Sequence, residues 1–262
     1  LYFFETSTGR NFIYNIEQDS FACLDEIKLF PSKIEFCSNT PRGMARIQNN
    51  LYAPTSDGEI FARINLKSGE IEYIKIPTEC DETISISDDG GEKIYILGRN
   101  RDTVKLNIWK NNQKAIRRID LDKVTSENRT VIFHPPVFWN EKLYILPYSN
   151  GCKSFLVSFE EKCEDVNKEF ASSLLGESGQ NTGFWYLRLI DGKLQFQSRW
   201  DDGWYIYDMT SEKVLNHWEC KLESQKLLEI ISLDRMRSEL NTTGIILERE
   251  GDLSRFLKFL AE

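Results

Sequence analysis

Short apolar runs alternate with turns rich in Asn, Asp and Gly along most of the chain. One example is NLYAPTSDGEIFARIN (residues 50–65), in which two apolar runs flank a Ser-Asp-Gly turn. Runs of this length, separated by residues that tolerate a positive φ, are typical of β-strands joined in hairpins. The pattern therefore predicts an all-β protein.

The same order of runs recurs at a nearly constant spacing. An apolar residue followed by Tyr begins a predicted strand at Leu1, Leu51, Ile94 and Leu143, and Leu194 holds the next equivalent position. Further runs before and after these markers complete sets of four. Four antiparallel strands in roughly 50 residues, repeated about five times, predict the blades of a β-propeller. A β-sandwich or a tandem of small β-domains is the alternative, but neither needs matching sets of four at this spacing.

The predicted domain organisation is one propeller over residues 1–250 and a short amphipathic C-terminal helix over residues 251–262. The blades lie near residues 1–38, 39–80, 81–125, 130–172 and 182–224. The first blade lacks its first strand within this chain, and the apolar segment 226–233 is the predicted ring-closing strand. The alternatives are a partial sixth blade near residues 245–247, or a larger ring whose upstream residues are missing.

Two stretches resemble kelch-like propeller repeats. GGEKIYILGRNRDTVKLNIW (residues 90–109) has a Gly doublet, an Ile-Tyr strand and a later apolar strand, and DGKLQFQSRWDDGWYIYDMTSEKVLNHW (residues 191–218) has Tyr207-Asp208 and a trailing Trp218. A third stretch, LYAPTSDGEIFARINLKSGE (residues 51–70), resembles bacterial propellers of the quinoprotein-like type. The resemblance spans about residues 1–222 and implies a β-propeller repeat protein of one of these types.

Composition and charge narrow the classes of partner. The 262 residues carry a formal net charge of −8, which argues against nucleic-acid partners and against adsorption to anionic lipid. No apolar run is long enough to predict a membrane span. The chain shows no signal peptide and its six cysteines form no C-x-x-C pair, so we expect a cytoplasmic protein with buried thiols. If the protein were exported, Cys152 and Cys163 could pair across one predicted hairpin.

Signatures of catalysis are few. The chain has two histidines, His134 and His217, and no zinc-protease, hydrolase, phosphate-loop or dinucleotide motif. His and Cys residues are not spaced as metal ligands. We therefore predict no catalytic residue, no metal and no cofactor.

Candidate binding residues occupy equivalent positions in successive repeats, either at the start of the first strand or just after the second. Arg and Trp at such positions are favoured in protein recognition, because each buries a large area and donates hydrogen bonds. The sequence does not tell which of the two sets of positions lies on a binding face. The predicted partner-binding residues are Arg42, Arg99, Arg101, His134, Tyr148, Trp185, Arg199 and Trp200.

The first functional hypothesis is a non-catalytic scaffold that recognises a protein or peptide partner on one propeller face. A carbohydrate-binding or carbohydrate-processing propeller is the alternative, and processing would require carboxylates that only Asp57, Asp102 and Asp201 could plausibly supply. A lyase or hydrolase that uses a channel histidine is the third hypothesis, with His134 as its candidate.

Overall fold

The computed structural model describes residues 2–4, 10–31, 33, 41–100, 103–110, 116–121, 132–148, 155–158, 183–198 and 203–219. The chain divides into two compact units, one of Leu1–Tyr14 and Phe21–Glu219 and one of Asn15–Ser20 and Cys220–Glu262. Of the second unit the structure describes residues 15–20, which join two strands. The predicted C-terminal helix, the ring-closing segment 226–233 and the Cys152–Cys163 pair lie outside the described residues.

Five antiparallel sheets follow one another along the chain, and within each sheet the strands pair in sequence order. Sheet I holds β1 (Tyr2–Phe4), β2 (Asn11–Asn15) and β3 (Ser20–Cys23). Sheet II holds β4 (Ala45–Ile47), β5 (Asn50–Pro54), β6 (Ile60–Asn65) and β7 (Ile71–Lys75). Sheet III holds β8 (Glu82–Asp88), β9 (Lys93–Asn100), β10 (Thr103–Lys110) and β11 (Ile116–Leu121). Sheet IV holds β12 (Val137–Trp139), β13 (Lys142–Ile145) and β14 (Phe155–Ser158), and sheet V holds β15 (Phe184–Ile190), β16 (Lys193–Ser198), β17 (Gly203–Asp208) and β18 (Lys213–Glu219).

These sheets confirm the prediction of an all-β chain built from four-stranded antiparallel sheets. Sheets II, III and V have four described strands each, and sheets I and IV have three. The described residues contain no helix, so none in this part of the chain could cross a membrane.

The backbone conformation of two turns is the one expected for tight β-hairpins. The β12–β13 turn has φ values of 48° at Asn140 and 59° at Glu141, and the β15–β16 turn has 47° at Asp191 and 72° at Gly192. Two consecutive positive φ values give the primed turn that matches the twist of a two-residue hairpin. Gly192 is also required by packing, because a Cβ there would lie 2.7 Å from the Trp139 ring of sheet IV.

Alternate residues of the central strands enter different cores. In β9, Ile94 and Ile96 pack in the core shared with sheet II, whereas Tyr95 and Leu97 pack in the core shared with sheet IV. Each fully buried side chain of this kind contributes about 1.5–3 kcal/mol. Burial on both faces explains why the sequence shows continuous apolar runs rather than strict alternation of apolar and polar residues.

The next strand pair repeats this arrangement. In β13, Leu143 and Ile145 face the core with sheet III, and Tyr144 packs in the core with sheet V beside Phe184 and Phe196. Neighbouring sheets in this part of the chain therefore share a core on each side.

One expectation about the cysteines is wrong. Cys23 is exposed, whereas Cys80 is buried. Cys23 is the last residue of β3, which lies at the edge of the three described strands of sheet I.

Candidate functional site

The two sets of candidate positions lie at the same end of the sheets. In sheets II to V the first and second strands are antiparallel, so the start of the first lies beside the end of the second. Glu82 pairs with Arg99 in sheet III, and Phe184 pairs with Ser198 in sheet V. The sequence left open which of the two sets of positions lies on a binding face. Because both sets lie at the same end of the sheets, no choice between them is needed.

Backbone hydrogen bonds join neighbouring sheets at this end. The Arg42 N–H donates to the Ile84 carbonyl at 3.0 Å, and the Ile86 N–H donates to the Arg42 carbonyl at 2.9 Å. Gly43 follows with φ of 79°, and a Cβ there would overlap the Ile86 carbonyl oxygen and the Pro135 ring. The segment ahead of β4 can thus lie directly against β8 only because residue 43 is glycine.

Two β-bulges shape the same end. The register shifts between Thr83 and Ser85 in β8, and between Phe184 and Tyr186 in β15. Ile84 and Trp185 are therefore the extra residues, one in each sheet. A bulge redirects the side chain and carbonyl of its extra residue. Trp185 is 43% exposed at this position.

His134 links three sheets. Its carbonyl accepts a 3.1 Å hydrogen bond from Ser85 Oγ of sheet III, and its N–H donates to the Leu146 carbonyl at 3.0 Å. Its ring nitrogen Nε2 lies 2.8 Å from the Phe184 carbonyl oxygen of sheet V. Because a carbonyl oxygen can only accept, Nε2 carries the proton in this contact.

The environment of His134 keeps its ring uncharged. The residue is 5% exposed, and burial lowers the pKa of the imidazole to about 4. The hydrogen bond to Phe184 raises this pKa, and the nearby positive charge of Arg42 lowers it further. The neutral ring donates through Nε2, which leaves Nδ1 as its one nitrogen for any acid–base chemistry.

Arg42, His134, Tyr148 and Trp185 meet in what we call the end cluster. The Arg42 Cζ atom lies 3.9 Å from the centroid of the Tyr148 ring. The Tyr148 ring makes edge-on contacts with His134 at 5.6 Å and with Trp185 at 5.8 Å between centroids. Four of the eight predicted binding residues are thus brought together around Tyr148, from sheets II, IV and V.

The backbone around Tyr148 is held at two points. The Tyr148 N–H donates to the Ile132 carbonyl at 2.9 Å, and the Phe184 N–H donates to the Pro147 carbonyl at 2.9 Å. The second bond ties the segment that carries Tyr148 to the strand that carries Trp185. The two aromatic rings are therefore positioned by the main chain as well as by their mutual contact.

Arg42 differs in its charge partners from four other described arginines. Among the described residues, no carboxylate forms an ion pair with Arg42. Each of four other described arginines pairs with a glutamate, as Arg10–Glu26, Arg63–Glu72, Arg99–Glu82 and Arg118–Glu79. The positive charge of Arg42 is instead placed over an aromatic face, which attracts a cation electrostatically.

The remaining predicted residues are placed differently. Arg99 lies at the same end, where its Nε atom is 2.5 Å from Oε2 of the fully buried Glu82. Arg101, Arg199 and Trp200 lie outside the described residues. The sequence analysis missed Glu82, although an acidic residue that begins the strand-like run ETISIS was a signal for it.

The carboxylates considered for sugar chemistry are not arranged for it in the described part of the chain. Asp57 is 8% exposed, accepts the Glu59 N–H at 2.8 Å and lies 3.6 Å from the Lys33 ammonium. Asp102 and Asp201 lie outside the described residues. Within the same described ranges, no group of three or more His, Cys, Asp or Glu side chains is placed to hold a metal ion.

Comparisons with known proteins support the fold. No protein-family model matches the chain, and no curated protein matches its sequence. The chain is similar to the solved structure of the dihydro-heme d1 dehydrogenase NirN in complex with DHE, with a TM-score of 0.51 and 8% identity over 83% of this chain and 43% of that one. A catalytically inactive virginiamycin B lyase from Staphylococcus aureus with quinupristin also aligns, with a TM-score of 0.48 and 13% identity over 75% of this chain and 58% of that one.

The likeness to NirN shows a β-propeller-like fold for this chain. At 8% identity it shows the fold alone. The chain spans less than half of the NirN chain and 58% of the lyase chain.

Proposed function

We propose that the protein is a non-catalytic binding scaffold that recognises a protein or peptide partner at the end cluster. In this proposal the sheets are the blades of a propeller of about five blades, and the end cluster lies on its binding face. The observation that carries the proposal is the placement of the Arg42 guanidinium 3.9 Å over the Tyr148 ring, beside the half-exposed Trp185. Arg, Tyr and Trp together are the residues most enriched where interfaces concentrate their binding energy.

Pre-organisation supports this assignment. The Tyr148 segment is hydrogen-bonded on both sides, and the His134 ring beside it is fixed by its contact with the Phe184 carbonyl. A partner that binds side chains already held in place loses less conformational entropy on association. The end cluster thus has the rigidity that a binding anchor needs.

A displayed random-peptide library, selected on the immobilised protein, tests the proposal. We expect selected peptides to bind the Arg42→Ala and Trp185→Ala variants at least about tenfold more weakly than the unaltered protein, since hot-spot truncations cost more than about 1.4 kcal/mol. Urea unfolding of each variant checks that the fold is kept.

Matched controls come from sheet V. Trp218 is 43% exposed, as Trp185 is, and the Arg188 guanidinium is already hydrogen-bonded to Gln195. Trp218→Ala and Arg188→Ala should leave peptide affinity unchanged. Equal affinity for the end-cluster variants and the unaltered protein, or equal losses in the controls, would show that the end cluster is not the binding site.

Carbohydrate binding is the second candidate, and one observation favours it. Trp185 presents an exposed aromatic surface next to Tyr148, and such surfaces stack on sugar rings. A glycan array probed with the unaltered protein and with Trp185→Ala distinguishes the two proposals, because Trp185-dependent glycan binding would favour the sugar. The lyase or hydrolase hypothesis gains no comparable support, since the His134 ring is buried and its Nε2 atom is engaged.

A further inference from the structure

We propose that the end cluster binds a single carboxylate of its peptide partner through the Arg42 guanidinium, while a neighbouring apolar side chain of the peptide packs on Trp185. This inference rests on the proposed function and specifies the chemistry that the same site recognises.

The first argument concerns the hydrogen-bond donors of the Arg42 guanidinium. A guanidinium carries five N–H donors, and the face of an aromatic ring accepts none of them as an ordinary hydrogen bond. The Tyr148 ring, with its centroid 3.9 Å from Arg42 Cζ, covers one side of the group. A planar carboxylate matches the fork of N–H donors in two parallel hydrogen bonds.

The contrast with Arg99 shows what is missing at Arg42. Arg99 lies at the same end of the sheets, and Glu82 of its own sheet supplies its carboxylate at 2.5 Å. The described part of the chain supplies no such partner to Arg42. A carboxylate from a bound peptide would complete at Arg42 the pairing that Arg99 makes internally.

The second argument concerns the number of charges. The other group of the end cluster that could carry a positive charge, His134, is uncharged at neutral pH because burial lowers its pKa to about 4. The end cluster thus presents one positive charge, from Arg42. Phosphorylated peptides are typically recognised by clusters of arginines, which neutralise close to two negative charges. One guanidinium matches a monovalent carboxylate instead.

The charge of the whole protein restricts the partner further. The chain has a formal net charge of −8, and a field of this sign repels an acidic tract, attracts basic segments and leaves neutral segments largely unaffected. The peptide that fits is therefore one acidic residue next to an apolar residue, within a segment that is otherwise neutral or basic.

A double-mutant cycle tests the inference. The probe is a synthetic peptide taken from the library selection, prepared with its acidic residue and with the matching amide (Asp to Asn or Glu to Gln). On the unaltered protein the amide form should bind about tenfold or more weakly, as expected for a lost charge-assisted pair. On Arg42→Gln the two forms should bind equally. Arg42→Lys, which keeps the charge and loses the fork, should give an intermediate difference, and Arg188→Gln should behave as the unaltered protein.

The outcomes separate this inference from the proposed function. If the amide form binds the unaltered protein as well as the acidic form, or loses as much affinity on Arg42→Gln, the carboxylate inference is overturned. Binding that still depends on Trp185 in that case leaves the scaffold proposal standing. If no selected peptide depends on any end-cluster residue, both proposals fail. The peptide change requires no alteration of the protein, so a poorly folded variant cannot account for the first outcome.

Discussion

Two regions of this protein combine an arginine with aromatic rings, and they differ in how the arginine is satisfied. One is the end cluster. The other, which we call the sheet V face, consists of Tyr186, Arg188, Trp204 and Trp218. On the sheet V face the Arg188 Nε and Nη2 atoms donate to Gln195 Oε1 at 3.0 and 2.9 Å, and its Cζ atom lies 5.6 Å from the Tyr186 ring. Arg42 has the closer ring, at 3.9 Å, and no carboxylate partner among the described residues.

The origin of the two regions explains this difference. The sheet V face follows from strand register, because Arg188 is paired with Gln195 and Trp204 with Trp218 across neighbouring strands. Cross-strand pairs of this kind stabilise a sheet locally. The end cluster instead draws its residues from three sheets. Similar residue types therefore stabilise one sheet in the first region, whereas in the end cluster they leave Arg42 without a carboxylate among the described residues.

Removing the buried His134 ring, which supports the end cluster, should have the largest effect on the free energy of unfolding. His134→Ala deletes a buried ring and the hydrogen bond from that ring to the Phe184 carbonyl, so we expect the free energy of unfolding to fall by about 3–4 kcal/mol. His217→Ala is the matched change on sheet V, where the exposed imidazole stacks on Tyr205 at 4.3 Å, and should cost about 0.5 kcal/mol. Urea unfolding of both variants measures the difference, and equal losses would contradict the structural role given to His134.

Lowering the pH should destabilise the folded protein through the same residue, His134. The His134 pKa is lowered from 6.5 to about 4 in the folded protein, so between these values the unfolded chain binds a proton that the folded protein does not. Stability should therefore fall as the pH is lowered from 6.5 to 4, by at most about 3 kcal/mol from this residue. The measurement is the urea midpoint as a function of pH, compared with His134→Gln, which does not titrate. Parallel pH profiles for the two proteins would show that His134 is not the source.

The smallest expected difference concerns the two arginine–tyrosine contacts. Tyr148→Leu removes a ring that lies 3.9 Å from a guanidinium, and should lower the free energy of unfolding by about 1 kcal/mol. Tyr186→Leu removes a ring at 5.6 Å from Arg188, on an exposed surface, and should cost less than about 0.5 kcal/mol. Chemical denaturation resolves this gap if each curve is measured in replicate. A larger loss for Tyr186→Leu would reverse the ranking of the two contacts.

Much of the fold could be predicted from the sequence, because strands and hairpins depend on local residue patterns. Three of the four positive-φ positions in the turns at residues 140–141 and 191–192 carry Asn, Asp or Gly, and Glu141 is the exception. The apolar runs between turns became strands. The C-terminal helix and the ring-closing strand stay predictions, as does the number of blades. The exposure of Cys23 was missed because apolar character alone does not identify an edge strand.

The sequence predicted the individual residues of the candidate site but not their contacts with one another. Equivalence between repeats picked out Arg42, His134, Tyr148 and Trp185 individually. Their contacts with one another depend on hydrogen bonds between sheets and on the bulge at Trp185. The pattern of predicted strands and hairpins gives no information on either. The pairing of Arg99 with Glu82 was missed for a similar reason, since the register of β8 shifts just beyond Thr83.

The division of β9 between two cores has a consequence for how the chain tolerates insertions. A slip of one residue in this strand would exchange the side chains of Ile94 and Ile96 with those of Tyr95 and Leu97, and so would disrupt the packing on both faces at once. One added residue in the turn before β9 would therefore be far more damaging than one in the turn before β7, an outer strand in which Glu72 and Tyr73 are exposed. Length variation in this protein should accumulate at the outer strands, while the inner hairpins keep a fixed length.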